Sequence, residues 1–173
     1  MKLRTVVRGA VGSSLLGAGA ALLVSGGSAL AASPVTASVT VNPSLSISGV
    51  TSSFNIAGPA GSTAAQNGAV RMTVTTNDPL GYTVTVQAAG ASMTGARSGN
   101  SDTIPVSALG VRESGGLPAF APVSNLAPIV THTQATPSAS GGDTVSNDYQ
   151  IVIPPTVSPD TYSVTLNYVV TAL

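Results

Sequence analysis

The sequence predicts an all-β protein, an antiparallel β-sandwich of immunoglobulin-like or Greek-key type with about eight strands. Three observations favour this fold class: apolar and polar residues alternate in several runs, clusters of glycine and proline separate the runs, and no helical spacing of apolar residues stands out. Alternation of this kind places one face of each strand against a core and the other toward solvent. Short strands separated by turn residues are typical of sandwiches and barrels.

The clearest pair of strands lies in the middle of the chain. Apolar residues alternate with polar ones over 70–75 and again over 82–88. The stretch "NDPLG" (77–81) lies between them and supplies strong turn formers. The two runs are therefore predicted to form a hairpin.

A second pair of strands is predicted near the C-terminus. Alternation over 149–153 and over 162–170 flanks a connection that contains Pro154, Pro155 and Pro159. Proline lacks the amide donor that a central ladder requires, so the three prolines are expected in a turn. These runs are likewise predicted to form a hairpin.

Shorter alternating runs predict the remaining strands. They are 35–41, 45–48, 53–57, 103–111 and 129–133. The interval from 90 to 142 is rich in glycine and proline, so it is predicted to consist of long loops that carry one or two of these strands.

The N-terminal residues 1–31 are predicted to be a secretory signal peptide. Three basic residues begin it, an apolar stretch of small residues and leucines follows, and Ala29 and Ala31 occupy the positions that a signal peptidase reads. The apolar stretch is shorter than the roughly 20 residues of a membrane-spanning helix. After cleavage, residues 32–173 are expected to be one secreted domain without a membrane span.

The charge of the remaining chain excludes one class of partner. Without residues 1–31 it keeps three arginines against six acidic residues, a formal net charge of −3, and it has no lysine. A nucleic-acid-binding protein needs a basic face to offset the phosphate charge, so nucleic acid is not an expected partner. The chain also lacks cysteine, so its stability must come from the core rather than from disulfides.

Four stretches follow one another in an order that has a counterpart in a known family. They are "LSISGVTSSFNIAG" (45–58), "VTTNDPLGYTVTVQA" (74–88), "TIPVSALGV" (103–111) and "IVIPPTVSPDTYSVTLNYVV" (151–170). In this order they resemble the WxL domain, a β-rich surface module of Gram-positive bacteria. Tyrosine stands here where the family has tryptophan in both of its Trp-x-Leu motifs, and valine stands for both leucines.

The resemblance implies non-covalent attachment to the cell wall through the paired motifs, whose residues here are Tyr82, Val84, Tyr168 and Val170. For the tyrosines an alternative is core packing with the hydroxyl on a polar partner, which suits a chain with only 3% aromatic residues. Tyr162 follows Pro-Asp-Thr at the entry to the last strand. This position suits a tyrosine corner, in which the hydroxyl bonds to nearby backbone.

No constellation of catalytic residues is apparent. His132 is the only histidine and no Gly-x-Ser-x-Gly stretch occurs, so His132 is expected to be a solvated residue of a loop or edge strand. Most carboxylates adjoin turn residues, as Asp160 does, and are expected to cap turns. Asp143, Asn147 and Asp148 lack the spacing of a known calcium loop. The sequence predicts no enzyme, no cofactor and no metal site.

These observations predict an exported, non-catalytic protein of the cell surface or cell wall. It would attach non-covalently to wall polymer (peptidoglycan) or to other surface proteins. Two alternatives stay open. One is a self-assembling structural subunit of an extracellular fibre or coat, because a sheet rich in threonine and valine and poor in lysine has weakly protected edges that can accept another strand. The other is a small secreted hydrolase or inhibitor.

Overall fold

The computed structural model describes residues 34–116 and 119–173, and the predicted signal peptide, residues 1–31, lies outside them. The described residues contain eleven β-strands and one short 3₁₀ turn, Val106–Ala108. The strands are β1 (Leu45–Ser48), β2 (Thr63–Thr76), β3 (Tyr82–Ala88), β4 (Ser92–Gly95), β5 (Thr103–Pro105), β6 (Leu109–Glu113), β7 (Ala121–Pro122), β8 (Ile129–Gln134), β9 (Asp143–Val152), β10 (Tyr162–Ser163) and β11 (Leu166–Ala172). All of them belong to one compact unit, Thr40–Leu173.

The strands form two packed layers. One layer is a five-stranded sheet in the order β1-β2-β9-β6-β7, and the other consists of two three-stranded sheets, β11-β3-β8 and β10-β4-β5. The Ala89 amide donates to the Thr165 carbonyl at 2.9 Å and extends the β3–β11 pairing toward the β4–β10 pairing, so the two small sheets follow each other end to end. Every pairing among the described strands is antiparallel. The predicted all-β antiparallel sandwich is confirmed, with eleven strands in place of about eight.

The core lies between the layers and follows the alternation of the sequence. Inward side chains are buried along β3, in β2 from Val70 onward and in β9 from Val145 to Ile151, and both layers contribute to one cluster of buried apolar residues. Val74, Val84, Val86 and Tyr149 have no exposed surface. On β10 and β11 the alternation predicted for 162–170 is confirmed, because half-buried and exposed residues alternate throughout.

Neither predicted hairpin forms. β2 pairs with β1 and β9, whereas β3 pairs with β8 and β11, so residues 77–81 carry the chain from one layer to the other. The connection from β9 to β11 crosses between the layers in the same way. Alternation reveals that one face of a strand is buried, but it does not name the partner strand. Since packed layers lie only about 10 Å apart, a short turn-rich connection can make a crossing as readily as a hairpin.

Two predicted strands are absent and the middle of the chain is richer in strands than predicted. Among the described residues, 35–41 and 53–57 have no ladder partner. The interval 90–142, predicted to be mainly loops, contains β4 to β8. These strands are only two to six residues long. The glycine and proline residues between them therefore conceal the alternation of apolar and polar residues. The predicted strand 103–111 is divided into β5 and β6 by the 3₁₀ turn.

Gly81 ends the crossing between β2 and β3 and leaves no room for a side chain. Its φ is +88°, and a Cβ placed on it would overlap the backbone of Gln134. Gly81→Ala should lower the free energy of unfolding by about 2–4 kcal/mol, because left-handed strain and overpacking add. Gly99→Ala is the control: its φ is +83°, with nothing within 4 Å of the added carbon, so only about 1 kcal/mol of strain is expected. Urea unfolding measures both losses, and equal losses would contradict the close approach at Gly81.

Candidate functional site

The two Tyr-x-Val motifs, far apart in sequence, lie side by side in the structure. β3 and β11 are antiparallel neighbours over the whole length of β3, so Val84 lies opposite Val170 and Val86 lies opposite Tyr168. The register therefore joins the two motifs into one patch of a single sheet.

Half of this patch belongs to the core. Tyr82 and Val84 have 0% of their surface exposed, whereas Tyr168 and Val170 are half-buried. A polymer or partner protein cannot touch a side chain that solvent does not reach, so the prediction of a binding surface is corrected for Tyr82 and Val84. Core packing with the hydroxyl on a polar partner, the alternative for the tyrosines, fits the geometry of Tyr82.

The hydroxyl of Tyr168 meets that of Tyr149 across the core. The two oxygen atoms lie 2.7 Å apart and join β9 of one layer to β11 of the other. Burial raises the pKa of Tyr149 to about 12. Burial also raises the pKa of Tyr168, and the neighbouring Tyr149 adds to the effect. Both phenols therefore stay protonated at neutral pH, and an uncharged hydrogen bond connects the two layers.

Tyr82 begins a chain of polar groups that the sequence alone does not reveal. Its hydroxyl donates to Asp143 Oδ2 at 3.1 Å and lies 3.4 Å from His132 Nε2. His132 Nδ1 in turn lies 2.8 Å from Glu113 Oε1. Burial, together with the hydrogen bond to Asp143 and its negative charge, raises the pKa of Tyr82 to about 12.

These contacts correct the prediction that His132 is a solvated residue. It lies on β8, an edge strand as expected, but its side chain is only 17% exposed and has two partners. Sequence reasoning missed the cluster because Glu113, Tyr82 and Asp143 come from three other strands. The tyrosine hydroxyl keeps its proton, so it acts as a hydrogen-bond donor rather than as a phenolate nucleophile.

Asp148 is a buried carboxylate with its own set of partners. It is 2% exposed and accepts hydrogen bonds from Gly68 N at 2.8 Å, from Ser114 Oγ at 2.6 Å and from Arg112 Nε at 3.1 Å. Burial by itself would raise the pKa of this carboxyl. The hydrogen bonds from Ser114, Gly68 and Arg112, with the Arg112 charge, outweigh burial and hold the pKa below its usual 3.8.

The acidic residues of β9 do not converge on one point. Successive side chains of a strand point to opposite faces, so Asp148 is directed away from Asp143 and Asn147. No group of three or more acidic, histidine or cysteine side chains suited to a metal ion occurs within residues 34–116 and 119–173.

An open cleft of about 680 Å³ lies between one edge of each layer. One wall is formed by residues 52–58, which follow β1 and which we call the strap. The other wall is formed by residues 157–166, which include β10. Buried core residues form the floor: Val70, Met93, Ile104, Leu109 and Ile151. The cleft therefore opens directly onto the hydrophobic core.

The strap has the side-chain pattern of a strand without the ladder of one. Phe54 and Ile56 are half-buried while the residues between and beside them are exposed. The Phe54 ring packs on Tyr149 with 4.6 Å between ring centroids, and Tyr168 also lines the cleft. The alternation that predicted a strand over 53–57 thus identified the inward residues correctly, although the described residues supply no partner strand.

The rim of the cleft contains the predicted tyrosine corner. The Tyr162 hydroxyl donates to the Ser158 carbonyl at 2.9 Å. Asp160 accepts hydrogen bonds from the amides of Arg97 and Thr161 and from the side chain of Asn100, so it stabilises a turn as predicted. These contacts fix the wall that faces the strap.

Comparisons with known proteins add no relative. Neither the family models nor the curated proteins give a match to this sequence. Within the part of the chain that the structure describes, no helix has the length and apolar character needed to cross a membrane.

The tyrosine pair lends itself to a double-mutant cycle. Tyr149→Phe or Tyr168→Phe leaves the other hydroxyl buried without a partner, which should lower the free energy of unfolding by about 1–3 kcal/mol. The double variant has no orphaned hydroxyl, so its loss should fall short of the sum of the two single losses by about 0.5–3 kcal/mol. Urea unfolding of the four proteins measures the coupling, and strict additivity would mean that the hydroxyl pair does not stabilise the fold.

The lowered pKa of Asp148 predicts a dependence of stability on pH. Because its folded pKa lies below the usual 3.8, the carboxylate stabilises the fold above that value and loses its contribution as the pH falls through the folded pKa. Asp148→Asn should be less stable at pH 7 by about 1–3 kcal/mol. It should also lose less stability than the wild type on acidification to pH 2.5. Urea midpoints at the two pH values test this, and parallel acid losses would contradict it.

Proposed function

We propose that the protein is an exported, non-catalytic component of the cell surface or cell wall, which holds its partner non-covalently in the cleft beside the strap. The observation that carries this proposal is the cleft itself. It is about 680 Å³ in volume, which is within the range of about 300–1,000 Å³ typical of binding sites. Half-buried apolar side chains line it, among them Phe54, Ile56 and Tyr168, and an apolar groove of this kind often marks a binding site.

The chemistry of the cleft favours an extended polypeptide of another surface protein as its partner. Its floor is apolar, and Phe54, Ile56 and Tyr168 line it beside a strap whose backbone is free of ladder bonds. Backbone hydrogen bonds to an edge, with alternate side chains in an apolar groove, are a general mode of peptide recognition. Peptidoglycan also carries peptides, so wall polymer is the second candidate partner.

The resemblance to the WxL domain supports the same location. Of the four residues that the resemblance singles out, Tyr168 lines the cleft, and Val170 lies two residues further along β11. Tyr82 and Val84 then act from the core, where they hold β3 against β11. The signal peptide expected over residues 1–31 supplies the route to the surface.

The internal use of the polar groups supports a non-catalytic role. The hydroxyl of Tyr82, with its pKa raised to about 12, and the buried carboxylate of Asp148 are both bonded within the fold. His132 shares its ring nitrogens between Tyr82 and Glu113. A secreted hydrolase, the alternative, would require His132 to activate a nucleophile. Loss of a hydrolytic activity in His132→Asn would favour that alternative.

Co-sedimentation of the purified protein with Gram-positive cell walls tests the proposal. Binding to walls that keep their proteins, but not to protein-free sacculi, identifies a protein partner, and equal binding to both identifies the polymer. Val157→Asp places a charge in the cleft and should weaken binding at least tenfold, since a carboxylate is costly to bury in an apolar site. Thr156→Asp adds the same charge at an exposed neighbour that does not line the cleft and should bind as the wild type does.

Two results would contradict the proposal. Wild-type protein that stays in the supernatant with both wall preparations would exclude attachment to the wall and its proteins. Equal binding by Val157→Asp and the wild type, with both folded by circular dichroism, would place the binding site outside the cleft.

A further inference from the structure

The cleft is the place of a missing strand. β1 pairs with β2 only along Thr73–Thr76, and the last contact of this ladder is the Thr51 amide on the Arg71 carbonyl at 3.0 Å. Beyond it the strap leaves the sheet and forms one wall of the cleft, an edge whose backbone has no ladder partner among the described residues. Backbone groups on this edge are free to pair with another chain.

The opposite wall is an edge as well. β10 and β11 are edge strands of the two small sheets. In the part of the chain that the structure describes, β10 pairs only with β4, and β11 pairs only with β3. An added strand could therefore find unpaired backbone on either side and an apolar floor beneath it. Such a site takes a polypeptide whose side chains alternate between apolar and polar.

The chain itself contains a segment of that description. Residues 35–41, which we call the N-terminal segment, read Val-Thr-Ala-Ser-Val-Thr-Val. Val35, Val39 and Val41 are 91%, 89% and 77% exposed, and the segment belongs to no sheet of the described residues. Three valines exposed on one face of an extended chain are apolar surface that an added-strand position would bury.

Length and charge match between the segment and the cleft. The N-terminal segment and the strap each contain seven residues, about 23 Å of extended chain. Residues 35–41 carry no charge and neither does the strap, while Asp160 on the opposite wall is already bonded to Arg97 and Asn100. Insertion would therefore not bury an ionised side chain of the segment, which would be costly.

The anchoring of the chain next to the segment disfavours insertion of the whole segment into the cleft of the same copy. Asn77 holds residues 42–44, because its side chain donates to the Asn42 carbonyl at 3.0 Å and accepts from the Ser44 amide at 2.7 Å. Val41, adjacent to Asn42, is thus held near the end of β2. Val70 in the cleft stands six residues before Thr76 on β2, about 20 Å away along the strand. A second copy has no such restraint.

We propose that the N-terminal segment of one copy enters the cleft of a second copy as an added β-strand, with Val35, Ala37, Val39 and Val41 against the core. The proposal rests on the proposed function of the cleft as a site for an extended polypeptide, and it names the occupant. Since the donor segment and the acceptor cleft are different surfaces, each copy can donate once and accept once. Such head-to-tail contacts produce open chains of subunits, or rings where the rotation between copies closes.

Sedimentation of the purified protein over a range of concentrations tests the proposal. The wild type should form a series of oligomers whose size increases with protein concentration. Val39→Asp alters only an exposed residue of the monomer and should leave the protein monomeric, because the carboxylate would meet the apolar floor. Ser38→Asp, the neighbour on the solvent face of the added strand, should assemble as the wild type does. Loss of assembly in both variants, or in neither, would overturn the proposal.

A peptide provides an independent measurement. A fluorescent synthetic peptide of residues 34–42 should bind the Val39→Asp protein, whose own cleft is intact and empty of a donor. The same peptide carrying Val39→Asp should bind at least about tenfold more weakly. Peptide binding that is absent, or that survives in Val157→Asp protein, would overturn the proposal.

The two proposals fail in different ways. If the wild type stays monomeric and the peptide does not bind, while wall sedimentation still depends on Val157, then the cleft serves another surface polypeptide and only the self-docking proposal is lost. If oligomers form and Val39→Asp abolishes them, but no form of the protein sediments with walls, then self-docking stands and attachment to the wall is lost.

Discussion

The buried carboxylate of Asp148 is the interaction on which the shape of the larger sheet depends. A charged group at 2% exposure needs several donors, and one of them is the amide of Gly68 on β2. To supply it, β2 shifts register against β9 between Gln66 and Val70. A bulge of this kind bends and twists a strand. The ladder between β1 and β2 ends next to this bulge, and beyond that point the strap leaves the sheet and lines the cleft.

Tyrosine hydroxyls join the two layers at two points in the core. Tyr82 reaches from β3 to Asp143 on β9, and Tyr149 on β9 meets Tyr168 on β11. Apolar packing alone would tolerate a sliding of one layer over the other, whereas a buried hydrogen bond is lost when the layers slip. This gives a physical reason for tyrosine at the positions of the two motifs. Their rings fill the core and their hydroxyls fix how the layers sit on each other.

Two features of this molecule are complementary. The cleft presents half-buried apolar side chains beside unpaired backbone, and the N-terminal segment exposes valines and backbone without a ladder. An isolated exposed valine needs no explanation, but a whole alternating face does. Low charge contributes to both features, since neither Lys nor Glu interrupts residues 35–58 as a gatekeeper against strand addition. Under the self-docking proposal, restraint of residues 42–44 by Asn77 favours contact between molecules over contact within one molecule.

The sequence by itself determined the fold class, the inward face of nearly every long strand and the tyrosine corner at Tyr162, because alternation and turn chemistry are local properties. Pairing was decided by the tertiary structure. The turn at 77–81 is equally compatible with a hairpin and with a crossing, and only the packing of two complete layers selects the crossing. The cluster around His132 and the partners of Asp148 were also beyond the sequence, since their members are brought together from separate strands. The alternation over 53–57 identified the inward residues of the cleft wall, but whether a strand pairs with them is a matter of long-range pairing, which a local pattern does not specify.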